Sequence, residues 1–184
     1  MDNKYVFSLD KDFFDMDEIY MIYKRRKDDV EEDLGHFQRS ATKEPYLVFL
    51  MEKYPFLGPL YNFYDMTESL PLHVDNPRKC TINIPLWNCN DSETVVYEFI
   101  KQLTEKERQD IIDNLDEGFW SFPVKKEEVK EAYRFSLTGS VLFNTECPHE
   151  VLTNSNSKLV RSSISWGIIR DYSFNEVKKI LTRK

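Results

Sequence analysis

The chain has 184 residues, the length of one domain. Hydrophobic residues at 41% and aromatics at 14% give enough apolar volume for a core and exclude a disordered tail. A net charge of −7 repels phosphate backbones on average. Five glycines with neither G-x-G-x-x-G nor G-x-x-x-x-G-K-[ST] exclude the common nucleotide cradles.

The opening segment, MDNKYVFSLDKDFFD, has no apolar h-region of a secretory signal, and the longest apolar run, 46–51, cannot span a bilayer. Cys80, Cys89 and Cys147 are odd in number and form no C-x-x-C pair. They are expected as small buried hydrophobes in a cytoplasmic protein.

Residues 15–33 carry Met16, Ile19, Tyr20, Ile22, Tyr23 and Val30 at helical spacing. The basic run 24–27 is followed at once by Asp28, Asp29, Glu31 and Glu32, and so reads as a solvated face. A second helix is expected over 43–54, with Pro45 in its first turn and Pro55 and Gly58 ending it. Short alternating strands are expected over 61–66, 71–75, 79–86 and 94–100. Thr104 and Glu107 form a capping box that opens a helix to Leu115, ended by Gly118, and a second short helix is expected over 125–132. Strands resume over 135–137, 141–144, 149–153 and 159–169, with 154–157 as a hairpin turn joining the last two. A final helix is expected over 175–181. The expectation is a single domain, 1–184: a helical support region (1–59), a β-rich core (60–170) with a helical insertion (104–133), and a C-terminal helix (171–184). Roughly eight strands is the count of a double-sheet jelly roll.

His73 and Asp75 are two apart on an expected strand, so they share a face, and Asn76-Pro77 turns the chain directly after them. An imidazole and a carboxylate so placed can chelate one divalent metal, and one more ligand would complete a 2-His-1-carboxylate facial triad. Only His36 and His149 remain. His36 lies in an apparent loop between helices, whereas His149 begins a strand in the β-rich half. The last long strand sets Arg161, Ser163 and Ser165 on one face. An inward guanidinium needs a carboxylate, and Glu150 has the opposite parity to His149, so an exogenous dicarboxylate suits Arg161. Thr81 and Asn83 share a face; they would contact such a dicarboxylate or a metal-bound water if that face looks inward, and otherwise form a hydrogen-bonded polar pair in the core. Tyr61 and Tyr64 have opposite parity, so one at most points in. Arg78 is read as a loop arginine with the site mouth in reach. Trp87, Trp120 and Trp166 are read as core, and Cys147 as no more than a neighbour of the metal ligands.

His73-Val74-Asp75, then His149, then Arg161-Ser162-Ser163 resembles the H-x-D…H…R-x-S signature of the 2-oxoglutarate- and Fe(II)-dependent oxygenases. The segments 72–78, 83–86, 139–144 and 149–151 resemble the small prolyl-hydroxylase-like and aspartyl-hydroxylase-like branches. The resemblance runs from about 61 to 169. It implies a mainly β fold with flanking helices, a double-stranded β-helix of jelly-roll, cupin-like form. It implies iron on His73, Asp75 and His149, and the distal carboxylate of 2-oxoglutarate on Arg161 and Ser163. It also implies dioxygen as co-substrate, ascorbate as a stimulant, and hydroxylation of a peptidyl side chain or small molecule, with succinate and CO2 released. Nucleic acid is not an expected substrate, given the charge. Two other readings stand beside it: a cupin-type metal enzyme that does not use 2-oxoglutarate, and a catalytically silent binding module.

Overall fold

The computed structural model describes residues 3–29, 38–75, 78–101, 103–113, 121–153 and 159–183. The first strand, β1 (Val6–Ser8), precedes helix α1 (Met16–Arg26). The Asp15 carboxylate accepts from the backbone N–H groups of Asp17 and Glu18 and caps α1, while Lys24, Arg25 and Arg26 complement the dipole in the last turn. The basic run is therefore the end of a helix, and Arg25 and Arg26 turn to the buried Glu44 carboxylate. Strand β2 (Gln38–Ser40) and a 3-10 turn lead into α2 (Pro45–Lys53), which has the proline in its first turn as expected but starts two residues later than Lys43.

Strands β3 (Leu57–Met66), β4 (Leu70–Asp75), β5 (Cys80–Trp87) and β6 (Ser92–Phe99) follow. Gly58 does not stop a helix, as the sequence suggests, but lies inside β3. A Cβ there would stand 2.8 Å from the Gly167 carbonyl oxygen, so only glycine permits this approach. Thr104 and Glu107 exchange the expected capping hydrogen bonds at the start of α3 (Glu105–Asp113).

The region after α3 is corrected. In place of a helix over 125–132, there is a short strand β7 (Ser121–Pro123), one 3-10 turn (Lys126–Glu128) and strand β8 (Val129–Phe135). The Glu128 carboxylate accepts from the Lys125 backbone N–H and closes that single turn. Beyond it, pairing with β6 through Phe99↔Val129 and Thr94↔Phe135 prevails over helical propensity. Of the strand expected over 135–137 only Phe135 belongs to β8, and the expected helical insertion keeps α3 as its first helix while its described later part holds β7, one 3-10 turn and the start of β8. The N-terminal region likewise contributes β1, β2 and the start of β3 besides its helices. Strands β9 (Val141–Asn144), β10 (His149–Thr153) and β11 (Arg161–Ile168) precede α4 (Phe174–Leu181), capped by the Ser173 hydroxyl and the Glu176 carboxylate. His36, the Asn76-Pro77 turn, the end of the helix near Gly118, Trp120 and the 154–157 turn lie outside the described residues.

The fold is mainly β, in two antiparallel sheets. One has the order β1-β9-β5-β11-β3-β2 and the other β7-β4-β10-β6-β8. This places β10 and β11 in different sheets, so they are not the paired hairpin expected from the sequence: β10 pairs with β4 and β6, and β11 with β3 and β5. Ile19, Ile22 and Tyr23 of α1, Leu47 and Leu50 of α2, and Phe174 and Val177 of α4 cover one face of the larger sheet. There they pack on Tyr61, Phe63, Ile82, Ile84, Ile164 and Trp166. Trp166 is core, and its indole N–H donates to the Gly58 carbonyl at 2.7 Å. Among the described residues no helix is long and apolar enough to cross a membrane.

Candidate metal centre

The opposite face of β11 is polar. Alternation sends Ile164 and Trp166 into the helix-covered core, so Arg161, Ser163 and Ser165 must face the smaller sheet, where all three line a cleft. Register carries the same parity to the flanking strands. Met66, Tyr64 and Asn62 of β3 stand opposite Arg161, Ser163 and Ser165, and Asn83 and Thr81 of β5 stand opposite Ser165 and Gly167. The cleft encloses about 510 Å³, open mouth included.

Across it, β4 and β10 bring His73 and His149 directly opposite each other. A bulge lies beside this pair: the next match, Val151↔Leu70, takes three steps along β4 for two along β10. Bulges of this kind re-aim side chains at sites. The imidazole centroids are 4.3 Å apart, and the Phe143 ring meets His149 edge to face at 4.8 Å. His73 Nε2 is 3.4 Å and His149 Nε2 4.0 Å from Asp75 Oδ1. One donor atom from each of the three residues lies within 4.8 Å of the others.

The backbone fixes which nitrogen faces inward. His73 Nδ1 is 2.7 Å from the Pro71 carbonyl and His149 Nδ1 is 2.9 Å from the Cys147 carbonyl. A carbonyl oxygen only accepts, so each Nδ1 carries the hydrogen and each Nε2 presents its lone pair to the site. Burial, and then the neighbouring His73, push His149 down to about 4, so this ring is neutral at pH 7. Burial alone would raise the Asp75 carboxyl. The neighbouring His73 and His149 rings and the Arg78 guanidinium overcome it and hold Asp75 below its ordinary value. Two imidazole lone pairs and a carboxylate therefore converge, a set of acceptors that a divalent cation satisfies.

Arg161 is the second distinctive group. It is 7% exposed, its Nε has no hydrogen-bond partner, and its Nη1 donates only to Ser163 Oγ at 3.3 Å and Met66 Sδ at 3.6 Å. Among the described residues no carboxylate lies within ion-pair distance of it. Burial pushes its pKa down.

All seven residues expected at the site (His73, Asp75, His149, Arg161, Ser163, Thr81 and Asn83) line this one cleft. The Thr81 hydroxyl donates to Asn83 Oδ1 at 3.3 Å. Tyr64 points in and Tyr61 into the core, which resolves the choice that parity left open. Glu150 faces away from the cleft, as its parity requires, and meets the Tyr97 hydroxyl and the Lys126 ammonium. Cys147 contributes its carbonyl to His149, and Cys80, Cys89 and Cys147 form no disulfide. Burial holds the Cys80 thiol up at about 12, the behaviour of an inert buried hydrophobe. Thr94, Thr145, Phe143 and Val151 also line the cleft and were not anticipated. Strand parity could have flagged Phe143 and Val151, but not which sheet each would join. No protein-family model matches the chain, and no curated protein matches it significantly.

Proposed function

We propose that the protein is an Fe(II)- and 2-oxoglutarate-dependent dioxygenase that hydroxylates a peptidyl side chain or small molecule. Its two antiparallel sheets would then form a double-stranded β-helix of the jelly-roll kind. The observation that carries the reading is Arg161: a buried guanidinium without a carboxylate, on the wall facing a 2-His-1-carboxylate group. A metal enzyme without a dicarboxylate co-substrate has no use for such a cation, and leaving it unpaired costs several kcal/mol. A bidentate carboxylate removes that cost.

In this reading His73, Asp75 and His149 would hold the iron. Iron with 2-oxoglutarate supplies the dioxygen-activating, decarboxylating chemistry that ends in hydroxylation, succinate and CO2. The protein's part is positional. The Pro71 and Cys147 carbonyls lock the two imidazoles in the ligating tautomer, and Phe143 fixes the His149 ring. Arg161 and the Ser163 hydroxyl fix the distal carboxylate of the co-substrate, while Thr81, Asn83 and Tyr64 supply further polar contacts along the wall. The apolar packing behind β11 keeps water from the back of the site.

The test is conversion of 2-oxoglutarate to succinate with Fe(II) and ascorbate, alongside the weak visible charge-transfer band of the anaerobic complex. The reading requires both the band and turnover. A protein that binds Fe(II) yet gives neither in the presence of 2-oxoglutarate would sink it in favour of a silent binding module.

A further inference from the structure

We infer that the prime substrate carries a carboxylate on an apolar body, and that Arg78 receives it in a second cavity beside the cleft. The inference rests on the oxygenase reading for the word substrate, but its observations are separate.

The inward stripe of β11 runs from Arg161 through Ser163 and Ser165 to Gly167, where a side chain is missing. Opposite Gly167 the β3–β11 ladder is irregular. Trp166 pairs with Tyr61 and Ile168 with Leu57, so Gly58, Pro59 and Leu60 together face the single residue Gly167. Beside this bulge lies an open depression of about 900 Å³, mouth included, lined by Leu60, Gly167, Ile168 and Ile169 with Gln38 and Arg78. Ser165, which lines the iron-site cleft, is about 7 Å along the strand from Gly167. The two spaces are thus neighbours on one wall.

Arg78 stands at their boundary. A Cβ on Gly167 would lie 3.9 Å from Arg78 Nε, so the missing side chain makes room for the guanidinium. The Asn62 amide satisfies both of its ends when its oxygen accepts from Arg78 Nη2 at 3.0 Å and Nη1 at 3.3 Å and its nitrogen donates to the Tyr61 carbonyl at 3.2 Å. The Tyr64 hydroxyl is 3.4 Å from the amide oxygen so placed, which ties Arg78 to the cleft wall. Arg78 is therefore oriented by a neutral amide and, among the described residues, has no carboxylate within ion-pair distance. Arg170 and Asp171 also line this space and are exposed to solvent, whereas Arg78 is half-buried. A largely apolar lining with a half-buried guanidinium oriented by an amide suits a carboxylate attached to hydrocarbon. That group can be a free carboxylic acid or an acidic side chain within a peptide.

The test uses the metal-free full chain carrying Arg161→Gln, so that the deep guanidinium cannot take the probe. Hexanoate, its neutral analogue hexanamide, and the blocked peptide acetyl-Leu-Leu-Glu-Leu-amide are titrated and followed by protein NMR. At least one carboxylate probe should bind at least tenfold more tightly than hexanamide, and the tighter of the two names the source. Adding Arg78→Gln should abolish the preference. Gly167→Val, which keeps Arg78 and fills the space before it, should weaken binding at least tenfold and decides the matter if Arg78→Gln does not fold. Equal binding of hexanoate, the peptide and hexanamide would overturn the inference, as would affinity unchanged in Gly167→Val. Because neither iron nor 2-oxoglutarate is present, these outcomes are independent of the turnover assay on which the oxygenase reading stands.

Discussion

Two buried charges, one in each sheet, are treated in opposite ways. Glu150 on β10 is 6% exposed and is closed within the chain by the Tyr97 hydroxyl and the Lys126 ammonium. Arg161 on β11 is as deeply buried and has only a serine hydroxyl and a thioether. The other buried charges follow the first pattern: Glu44 meets Arg25 and Arg26, and the Arg39 guanidinium donates to the carbonyls of Arg26, Gln38 and Lys27. That difference is what the proposal of a carboxylate ligand for Arg161 rests on, since a buried charge without a counter-charge is costly. Asp75 and its two histidines are open in the same sense, with acceptors converging on a space rather than on donors.

The comparison breaks most visibly at Asp75. Asp75→Ala should abolish coupled turnover, at least a thousandfold, and sharply weaken Fe(II) binding measured by equilibrium titration, while the metal-free protein stays folded by circular dichroism. Retained turnover would remove Asp75 from the ligand set. Arg161→Met should come next. The KM for 2-oxoglutarate should rise roughly a hundredfold, because a desolvated charge-assisted pair contributes about 2–5 kcal/mol. Fe(II) affinity should change little, and the metal-free variant should be no less stable than the wild type, since an unpaired buried charge has gone. A variant that loses iron, or unfolds, would place Arg161 with the structural charges instead.

The open site also leaves a mark on stability. His149 is held down at about 4 by burial and then by His73, against an ordinary value of 6.5. Between those values the unfolded chain binds the proton and the folded one does not. Stability is therefore full above about pH 6.5 and is lost as pH falls toward 4. The loss should be of the order of 3 kcal/mol in urea unfolding of the metal-free protein. His149→Gln should flatten this part of the profile. An unchanged slope would assign the acid sensitivity to other groups.

The constellation was legible in the sequence because strand alternation is local. Once 71–75 and 161–168 read as strands, parity alone put His73 with Asp75 and Arg161 with Ser163, and sent Glu150 away from His149. Pairing between strands is not local, and there the sequence was silent. The short link from β10 to β11 reads as a hairpin, yet it connects two sheets. His149 and Arg161 face each other across a cleft because of that crossing. The stretch 125–132 misled for a related reason. Its lysines and glutamates favour helix, and only the partner strand β6, some thirty residues earlier, makes Val129, Tyr133 and Phe135 a ladder. Tyr64 became readable only once β3 was seen to pair with Ser163, and the cavity at Gly167 depends on a bulge that no residue pattern announces.

The smallest effect belongs to the closed charge, and it depends on which partner is removed. The Lys126 side chain is 57% exposed against 8% for Glu150, so the ammonium is largely hydrated and the carboxylate is not. Removing the lysine leaves Glu150 with the Tyr97 hydroxyl and a route to water through the space the lysine vacates. Lys126→Met should thus cost no more than about 1 kcal/mol in urea unfolding, the range of a half-exposed ion pair. Glu150→Ala takes away the buried acceptor itself and leaves the O–H of Tyr97, 7% exposed, without one, although the Lys126 ammonium still donates to its oxygen, so it should cost about 1–3 kcal/mol. Neither change should move the KM for 2-oxoglutarate, because Glu150 points away from the cleft. If Glu150→Ala raised that KM as strongly as Arg161→Met, the carboxylate on β10 would be acting through His149. The division between closed and open charges would then fail at the strand that carries one of each.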